Sequence, residues 1–83
     1  MEEYTRSVLQ TIADNTSEYG FQVVRRTKIA EWLRREYDLG EESLDKTLAS
    51  LLKSYLIHEK EIKGEKHYGL TIDGFRRPEI SVI

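Results

Sequence analysis

The basic residues of this chain fall into three short groups that could bind phosphate. The densest group is Arg25-Arg26-Thr27-Lys28, which directly precedes a segment with helical spacing. The N-terminus of a helix presents backbone N–H groups, and together with cationic side chains these groups suit a phosphate. The alternative explanation is an ordinary solvated loop.

The second group lies within residues 42–55, where the apolar side chains follow one stripe at helical spacing. The stripe consists of Leu44, Leu48, Leu51, Leu52 and Tyr55. The opposite face carries Glu42, Lys46, Ala49, Ser50 and Lys53. Its small residues would let the helix approach a groove or a partner, and its lysines could meet phosphates or base edges. A solvated helix face is the alternative.

The start of this second segment is acidic. Glu41, Glu42 and Asp45 lie in its first turn, where carboxylates complement the positive end of the helix dipole. A carboxylate can also accept a hydrogen bond from cytosine N4. Dipole stabilisation is the commoner explanation, so this start argues against a surface that faces nucleic acid.

The third group lies in a predicted β-hairpin, where Lys60, Lys63, Lys66 and His67 alternate with three glutamates. Cross-strand charge pairs that keep the hairpin soluble are the alternative to phosphate binding. His58 and His67 have no ligand cluster at metal spacing, so we expect no metal site. The sequence contains no nucleophile elbow and no paired carboxylates, so we expect neither an enzyme nor a cofactor.

Composition limits what these groups can do. The chain has 83 residues, enough for one small domain, and its formal net charge of −2 means that anion binding must come from a local patch. It has no cysteine, which excludes disulfides, zinc–thiolate sites and a thiol nucleophile. No apolar run could span a bilayer, and the N-terminus does not resemble a signal peptide. We therefore expect a cytoplasmic protein with no membrane partner.

Hydrophobic periodicity predicts the helices that position the first two groups. A first helix starts near Tyr4 and fades in residues 15–18, and residues 21–24 form a very short strand. A second helix over residues 28–37 has Thr27 as its N-cap, and its Trp32 is expected to pack against the first helix or a subunit. Gly40 can adopt a positive φ at the end of this helix before a third helix covers residues 42–55.

Charge pairing favours one register for the hairpin. A turn at Lys63-Gly64 pairs Ile57 with Leu70 and Glu61 with Lys66. A turn one residue later would instead place Lys63 opposite Lys66, a like-charge pair. Beyond the hairpin, Thr71 can cap a short helix that runs through Phe75, and Gly74 allows a close backbone approach.

Two stretches of the sequence resemble the winged helix-turn-helix superfamily. Residues 39–57, from Leu39-Gly40-Glu41 to Tyr55-Leu56-Ile57, resemble its turn, its recognition helix and the start of its wing. The second stretch closes the hairpin and reads Tyr68-Gly69-Leu70-Thr71-Ile72-Asp73-Gly74. It resembles the Tyr-x-Leu-Thr-x-x-Gly signature of PadR-like and MarR-like regulators. The implied fold is α+β and mostly helical, with three helices, a short strand, a β-hairpin wing and a short terminal helix in residues 1–77, before a tail at 78–83.

The resemblance implies a DNA-binding transcription regulator. Its third helix would enter the major groove of double-stranded DNA, the wing would touch the flanking backbone, and a homodimer could form through helix 1 or the tail. The candidate DNA-contact residues are Arg25, Arg26, Thr27, Lys28, Ser43, Lys46, Thr47, Ser50, Lys53, Lys60, Lys63 and Lys66. This interpretation requires the lysine-bearing side of the third helix to face outward, near arginines that are not held by carboxylates.

The alternative is a winged-helix module for protein–protein interaction in a replication, transcription or degradation assembly. The net charge of −2 and the acidic start of the third helix support it. A third interpretation, a single domain of a longer protein, is less favoured because the chain begins with Met1.

Overall fold

A computed structural model describes residues 1–19 and 23–80 of the chain. Within these residues the helices are α1 (Glu3–Tyr19), α2 (Arg26–Arg34), α3 (Glu41–Lys53) and α4 (Ile72–Phe75). The strands are β1 (Val24–Arg25), β2 (Ile57–Ile62) and β3 (Glu65–Leu70), which form an antiparallel sheet in the order β1-β3-β2. The predicted α+β class is confirmed. None of the described helices combines the length and the apolar character that crossing a bilayer requires.

Helix α1 is longer than the sequence suggested. We expected it to fade at Asn15, but it continues to Tyr19. Asn15 donates its side-chain N–H to the carbonyl oxygen of Thr11 at 2.8 Å, and Thr11 in turn donates to that of Ser7 at 2.8 Å. These polar side chains therefore bond to the helix they sit on and do not end it. The predicted strand over residues 21–24 lies partly outside the described residues, and the strand that forms is Val24–Arg25.

The predicted bounds and cap of α2 are wrong. The helix begins at Arg26, and Arg25 occupies the N-cap position without a side-chain hydrogen bond. Thr27 does not cap it, because its hydroxyl donates to Glu65 Oε1 at 2.8 Å. The helix also ends at Arg34, three residues early, and Tyr37 packs edge-on against the ring of Tyr4 at 5.2 Å.

The leucine stripe of α3 is buried as predicted at Leu44, Leu48 and Leu51. Tyr55 was placed in that stripe wrongly, since it follows the end of the helix with φ of 60° and is 76% exposed. The prediction for Gly40 is also wrong. Its φ is −82°, and it serves as the N-cap residue of α3.

The hairpin has the register that charge pairing predicted. Ile57 pairs with Leu70 and Glu61 with Lys66. The turn residues Lys63 and Gly64 have φ of 52° and 79°, which matches the twist of the flanking strands. Strand β2 is one of the two edge strands of the sheet, and no strand of the described chain pairs with its outer side.

The connection after the hairpin also follows the prediction. Thr71 caps α4 by accepting a hydrogen bond from the backbone N–H of Gly74 at 3.1 Å, and its hydroxyl donates to the carbonyl oxygen of Tyr55 at 2.6 Å. A Cβ at Gly74 would collide with the carbonyl oxygen of Leu56. This close approach packs α4 against the segment between α3 and β2.

The core lies between the helices and one face of the sheet. Helix α1 supplies its centre with Val8, Leu9 and Ile12, which are fully buried. Ile80, expected in a tail, is buried in the same core.

Candidate nucleic-acid interface

The lysine-bearing face of α3 points into solvent. Lys46, Ala49, Ser50 and Lys53 are all exposed, while Ser43 and Thr47, the other predicted contacts on this helix, are half-buried at its flanks. Lys46 Nζ lies 3.4 Å from a carboxylate oxygen of Glu42 one turn away, and both side chains are more than three-quarters exposed. A pair of this kind contributes about 0–1 kcal/mol, so Lys46 can exchange its carboxylate for a phosphate at little cost.

The DNA-binding interpretation requires arginines that are not held by carboxylates, and Arg26 does not meet this condition. One of its guanidinium nitrogens is 2.6 Å from Glu41 Oε2 and 2.7 Å from Asp45 Oδ1, and its Nε donates to the same Asp45 oxygen at 3.0 Å. Its side chain is 21% exposed. Glu41 also binds Arg34 at 2.8 Å. The acidic first turn of α3 therefore holds the start of α2, and Arg26 could reach a phosphate only by breaking two ion pairs.

The pKa values of Arg26 and Glu41 are shifted in the directions that keep these two groups charged. Burial alone would lower the pKa of Arg26, but its hydrogen bonds to Glu41 and Asp45 raise it above the ordinary value. The same hydrogen bond from Arg26, followed by that from Arg34, lowers the pKa of Glu41. Arg26 and Glu41 thus stay ionised at neutral pH. We name the set Arg26, Arg34, Glu41 and Asp45 the arginine–carboxylate network.

The other three residues of the predicted basic cluster differ in their exposure and in their contacts. Thr27 is engaged with Glu65, as described above, whereas Arg25 is exposed and has no ion pair within residues 1–19 and 23–80. Lys28 is half-buried in the first turn of α2. Arg25 is therefore the side chain of this cluster that is best placed to meet an external anion.

Strand register creates a basic row that sequence reasoning missed. Arg25 pairs with His67 across β1 and β3, and His67 pairs with Lys60 across β3 and β2. Directly opposed residues of antiparallel strands project from the same face of the sheet. The row crosses the face of the sheet that turns away from the core. The pairing of Lys60 with His67 could be deduced from the hairpin, but the position of Arg25 could not.

The same register separates the three predicted lysines of the hairpin. Lys60 belongs to the basic row, and Lys63 is exposed at the turn. Lys66 projects from the opposite face, where its Nζ lies 3.9 Å from a carboxylate oxygen of Glu59. That oxygen also accepts a 2.8 Å hydrogen bond from the Tyr68 hydroxyl, and burial followed by this bond raises the pKa of Tyr68. The hairpin therefore offers two of its lysines to a ligand on its outer side.

Several apolar side chains remain exposed away from the basic row. Ile72 is 71% exposed on α4, next to the loop that carries exposed Tyr55. Trp32 is 52% exposed, and the guanidinium carbon of Arg35 lies 5.9 Å from its ring centroid. The expectation that Trp32 packs against α1 or a subunit stays a prediction, since half of this side chain faces solvent. In the described part of the chain, no group of three or more acidic, histidine or cysteine side chains is arranged to hold a metal ion.

Comparison with known proteins identifies no relative of this chain. The chain matches no protein-family model, and no curated protein or solved structure is significantly similar to it.

Proposed function

We propose that this chain is a winged-helix domain that binds double-stranded DNA, with α3 in the major groove and the β2–β3 hairpin as a wing on the flanking backbone. The order of helices and strands supports this architecture, since a hairpin directly follows two helices joined by a short turn. The observation that carries the proposal is the outward face of α3, where exposed Ala49 and Ser50 lie between exposed Lys46 and Lys53.

Size and shape favour a groove as the site for this face. The major groove is about 12 Å wide and accepts an α-helix, provided that the side chains at its centre are small enough for close approach. Ala49 and Ser50 satisfy that condition, and Ser50 can donate or accept a hydrogen bond. The two lysines, one turn away on either side, are placed to meet phosphates or base edges.

The arginine–carboxylate network revises the phosphate contacts. Arg26 is excluded because two carboxylates hold it, and Lys66 is excluded because it projects from the face of the hairpin opposite to Lys60. The cations that remain belong to α3, to the start of α2 and to the outer side of the hairpin. They are Arg25, Lys28, Lys46, Lys53, Lys60 and Lys63.

The salt dependence of binding tests this proposal. We would measure fluorescence anisotropy of a labelled random-sequence duplex between about 50 and 200 mM salt, where each phosphate contact contributes about 0.9 to the slope of log K against log salt. Six cations therefore allow a slope no steeper than about −5 per protomer. Lys46→Gln with Lys53→Gln should reduce the slope by about 2, whereas Arg6→Gln on α1 should leave it unchanged. A flat response of the unaltered protein would refute DNA binding.

The second candidate function is protein–protein interaction through the same fold. It is favoured by the ion pairs that hold Arg26 to two carboxylates and by the exposed apolar side chains of Tyr55 and Ile72. If this function is correct, Ile72→Ser will abolish the retention of a partner in a pull-down, and Lys46→Glu will not. A protein that binds DNA through α3 should show the reverse, with loss of duplex affinity on Lys46→Glu alone.

A further inference from the structure

Tyr55 occupies a backbone position that usually belongs to glycine. It follows α3 with φ of 60°, and its N–H bonds to the carbonyl oxygen of Leu52 at 3.1 Å. The next N–H, that of Leu56, bonds to the carbonyl oxygen of Leu51 at 3.1 Å. These two bonds form a Schellman motif, in which a Cβ on the left-handed residue is strained. The ring of Tyr55 is 76% exposed, so packing against the described chain does little to offset this strain. Such a residue indicates a use for the side chain outside its own fold.

Two further exposed apolar side chains lie on α4, beside Tyr55. The hydroxyl of Thr71 donates to the carbonyl oxygen of Tyr55 at 2.6 Å and so places the start of α4 next to it. Ile72 is 71% exposed and Phe75 38% exposed, and residues three apart on a helix are neighbours on its surface. We name Tyr55, Ile72 and Phe75 the α4 patch.

The area of the α4 patch favours a short segment as its occupant. A fully exposed side chain of this size presents about 200 Å², so the three leave roughly 350–400 Å² uncovered. A patch of this size is often functional, but a stable interface buries about 800 Å² on each partner. A symmetric dimer would also join the same patch of both molecules, and would bring their cations together. A second copy is therefore disfavoured.

The charges beside the patch favour an acidic occupant. Arg76 lies one turn after Ile72 on the same side of α4, and Lys53 precedes Tyr55 by two residues. Both cations are exposed, and neither forms an ion pair within residues 1–19 and 23–80. The exposed carboxylate on α4 is that of Asp73, which offsets one of the two charges. The surroundings of the patch therefore remain positive, although the chain as a whole has a net charge of −2.

We propose that the α4 patch binds a short acidic segment of another protein. Apolar side chains of this segment would lie against Tyr55, Ile72 and Phe75, and one of its carboxylates would pair with Arg76. The inference names the partner of the second candidate function above and rests on it. It does not require DNA binding, because the patch lies outside the face of α3 that was assigned to the groove.

A phage-displayed library of random 12-residue peptides, panned against the full chain and counter-selected on Ile72→Ser, tests the proposal. The selected peptides should combine aspartate or glutamate with leucine or an aromatic residue. The most enriched peptide is then synthesised, together with a version in which every carboxylate is replaced by the corresponding amide. In fluorescence anisotropy the amide version should have a Kd about fivefold higher, which is the size expected for ion pairs at a solvated surface.

Matched substitutions locate the contact. Arg76→Gln should raise the Kd of the acidic peptide about threefold and leave that of the amide version unchanged. Arg77→Gln is the control, because it removes the same charge from the next residue, whose guanidinium is already held by Glu79 at 2.7 Å, and it should change neither Kd. Tyr55→Gly should raise both Kd values about tenfold, although it relieves the positive φ and does not lower the urea midpoint.

The outcomes separate this proposal from the functions proposed above. Enrichment of neutral or basic peptides, equal Kd values for the two versions, or no effect of Arg76→Gln would overturn the acidic partner while leaving a protein contact at Ile72. If no peptide survives counter-selection, the patch is not a peptide site and the proposal is overturned. A dimer in sedimentation equilibrium that Ile72→Ser dissociates would make a second copy the occupant and would also overturn it. The salt dependence of duplex binding is measured without peptide, so the failure of DNA binding is seen separately.

Discussion

Arg25 and Arg26 are adjacent in sequence, but their environments predict opposite consequences of the same substitution. Arg25 is exposed on the basic row of the sheet, and Arg26 is bound to Glu41 and Asp45. Replacing each in turn by glutamine removes one positive charge and keeps a polar side chain. The net charge of the protein changes equally in the two variants, so any difference between them reports the local contacts.

Arg25→Gln should weaken DNA binding and leave the fold intact. The loss of one phosphate contact removes about 0.9 from the slope of log K against log salt, which amounts to about eightfold in affinity at 0.1 M salt. A surface substitution away from any network changes the free energy of unfolding by about 0.5 kcal/mol or less.

Arg26→Gln should have the opposite effect. It removes three guanidinium contacts of 3.0 Å or less and leaves Glu41 and Asp45 near each other without a cation between them. Both carboxylates are more than half exposed, so water screens much of this interaction. We expect a loss of about 1–2 kcal/mol in the free energy of unfolding and no change in the salt slope.

Urea denaturation followed by circular dichroism, together with anisotropy across salt, measures both quantities. With a typical m value, the loss for Arg26→Gln corresponds to a fall of about 1 M in the urea midpoint. A lowered salt slope with an unchanged midpoint in Arg26→Gln would show that the arginine–carboxylate network does not hold Arg26. An unchanged slope in Arg25→Gln would show that Arg25 does not contact phosphate.

Three further outcomes follow from the fold. Gly74→Ala should cost about 2 kcal/mol or more in urea denaturation because its Cβ meets a backbone oxygen, whereas Gly40→Ala, with open space around it, should change stability by less than about 0.5 kcal/mol. Tyr55→Gly should stabilise the protein by about 0.5–1 kcal/mol in the same assay, because it relieves a positive φ and removes a side chain that is 76% exposed; an unchanged or lower midpoint would contradict this. Because the folded protein lowers the pKa of Glu41, the ionised carboxylate stabilises the fold at any pH above the ordinary glutamate pKa, and this stabilisation is lost as the pH falls through the folded pKa. The difference in stability between the unaltered protein and Arg26→Gln should therefore shrink from pH 6 toward pH 3 in thermal melts.

The features that sequence predicted correctly are those set by neighbours along the chain. The hairpin register could be predicted because a turn shifted by one residue would place Lys63 opposite Lys66, which is an unfavourable like-charge pair. The cap at Thr71 and the need for Gly74 arise within four residues of each other. The buried leucines of α3 follow from helical spacing alone.

The errors arise where a distant partner competes for a local group. Thr27 has the right residue type for a cap, but Glu65, 38 residues away, accepts its hydroxyl. Arg26 belongs to a basic run in sequence, yet α3 folds back to bring Glu41 and Asp45 against it. Periodicity does not encode these approaches, and the acidic first turn of α3 is the one signal in the sequence that could have suggested them.

The alternating charges on strand β2 determine how two molecules can meet. His58 and Lys60 lie on one side of this strand and Glu59 and Glu61 on the other, and its outer edge has no partner strand in the described chain. If the free edges of two copies paired in antiparallel fashion, a twofold axis normal to the sheet would keep every side chain on its own side. In the two registers with the greatest overlap, lysine would then oppose lysine or histidine, and glutamate would oppose glutamate. These like-charge pairs disfavour a dimer in which two copies of the protein join their sheets through strand β2.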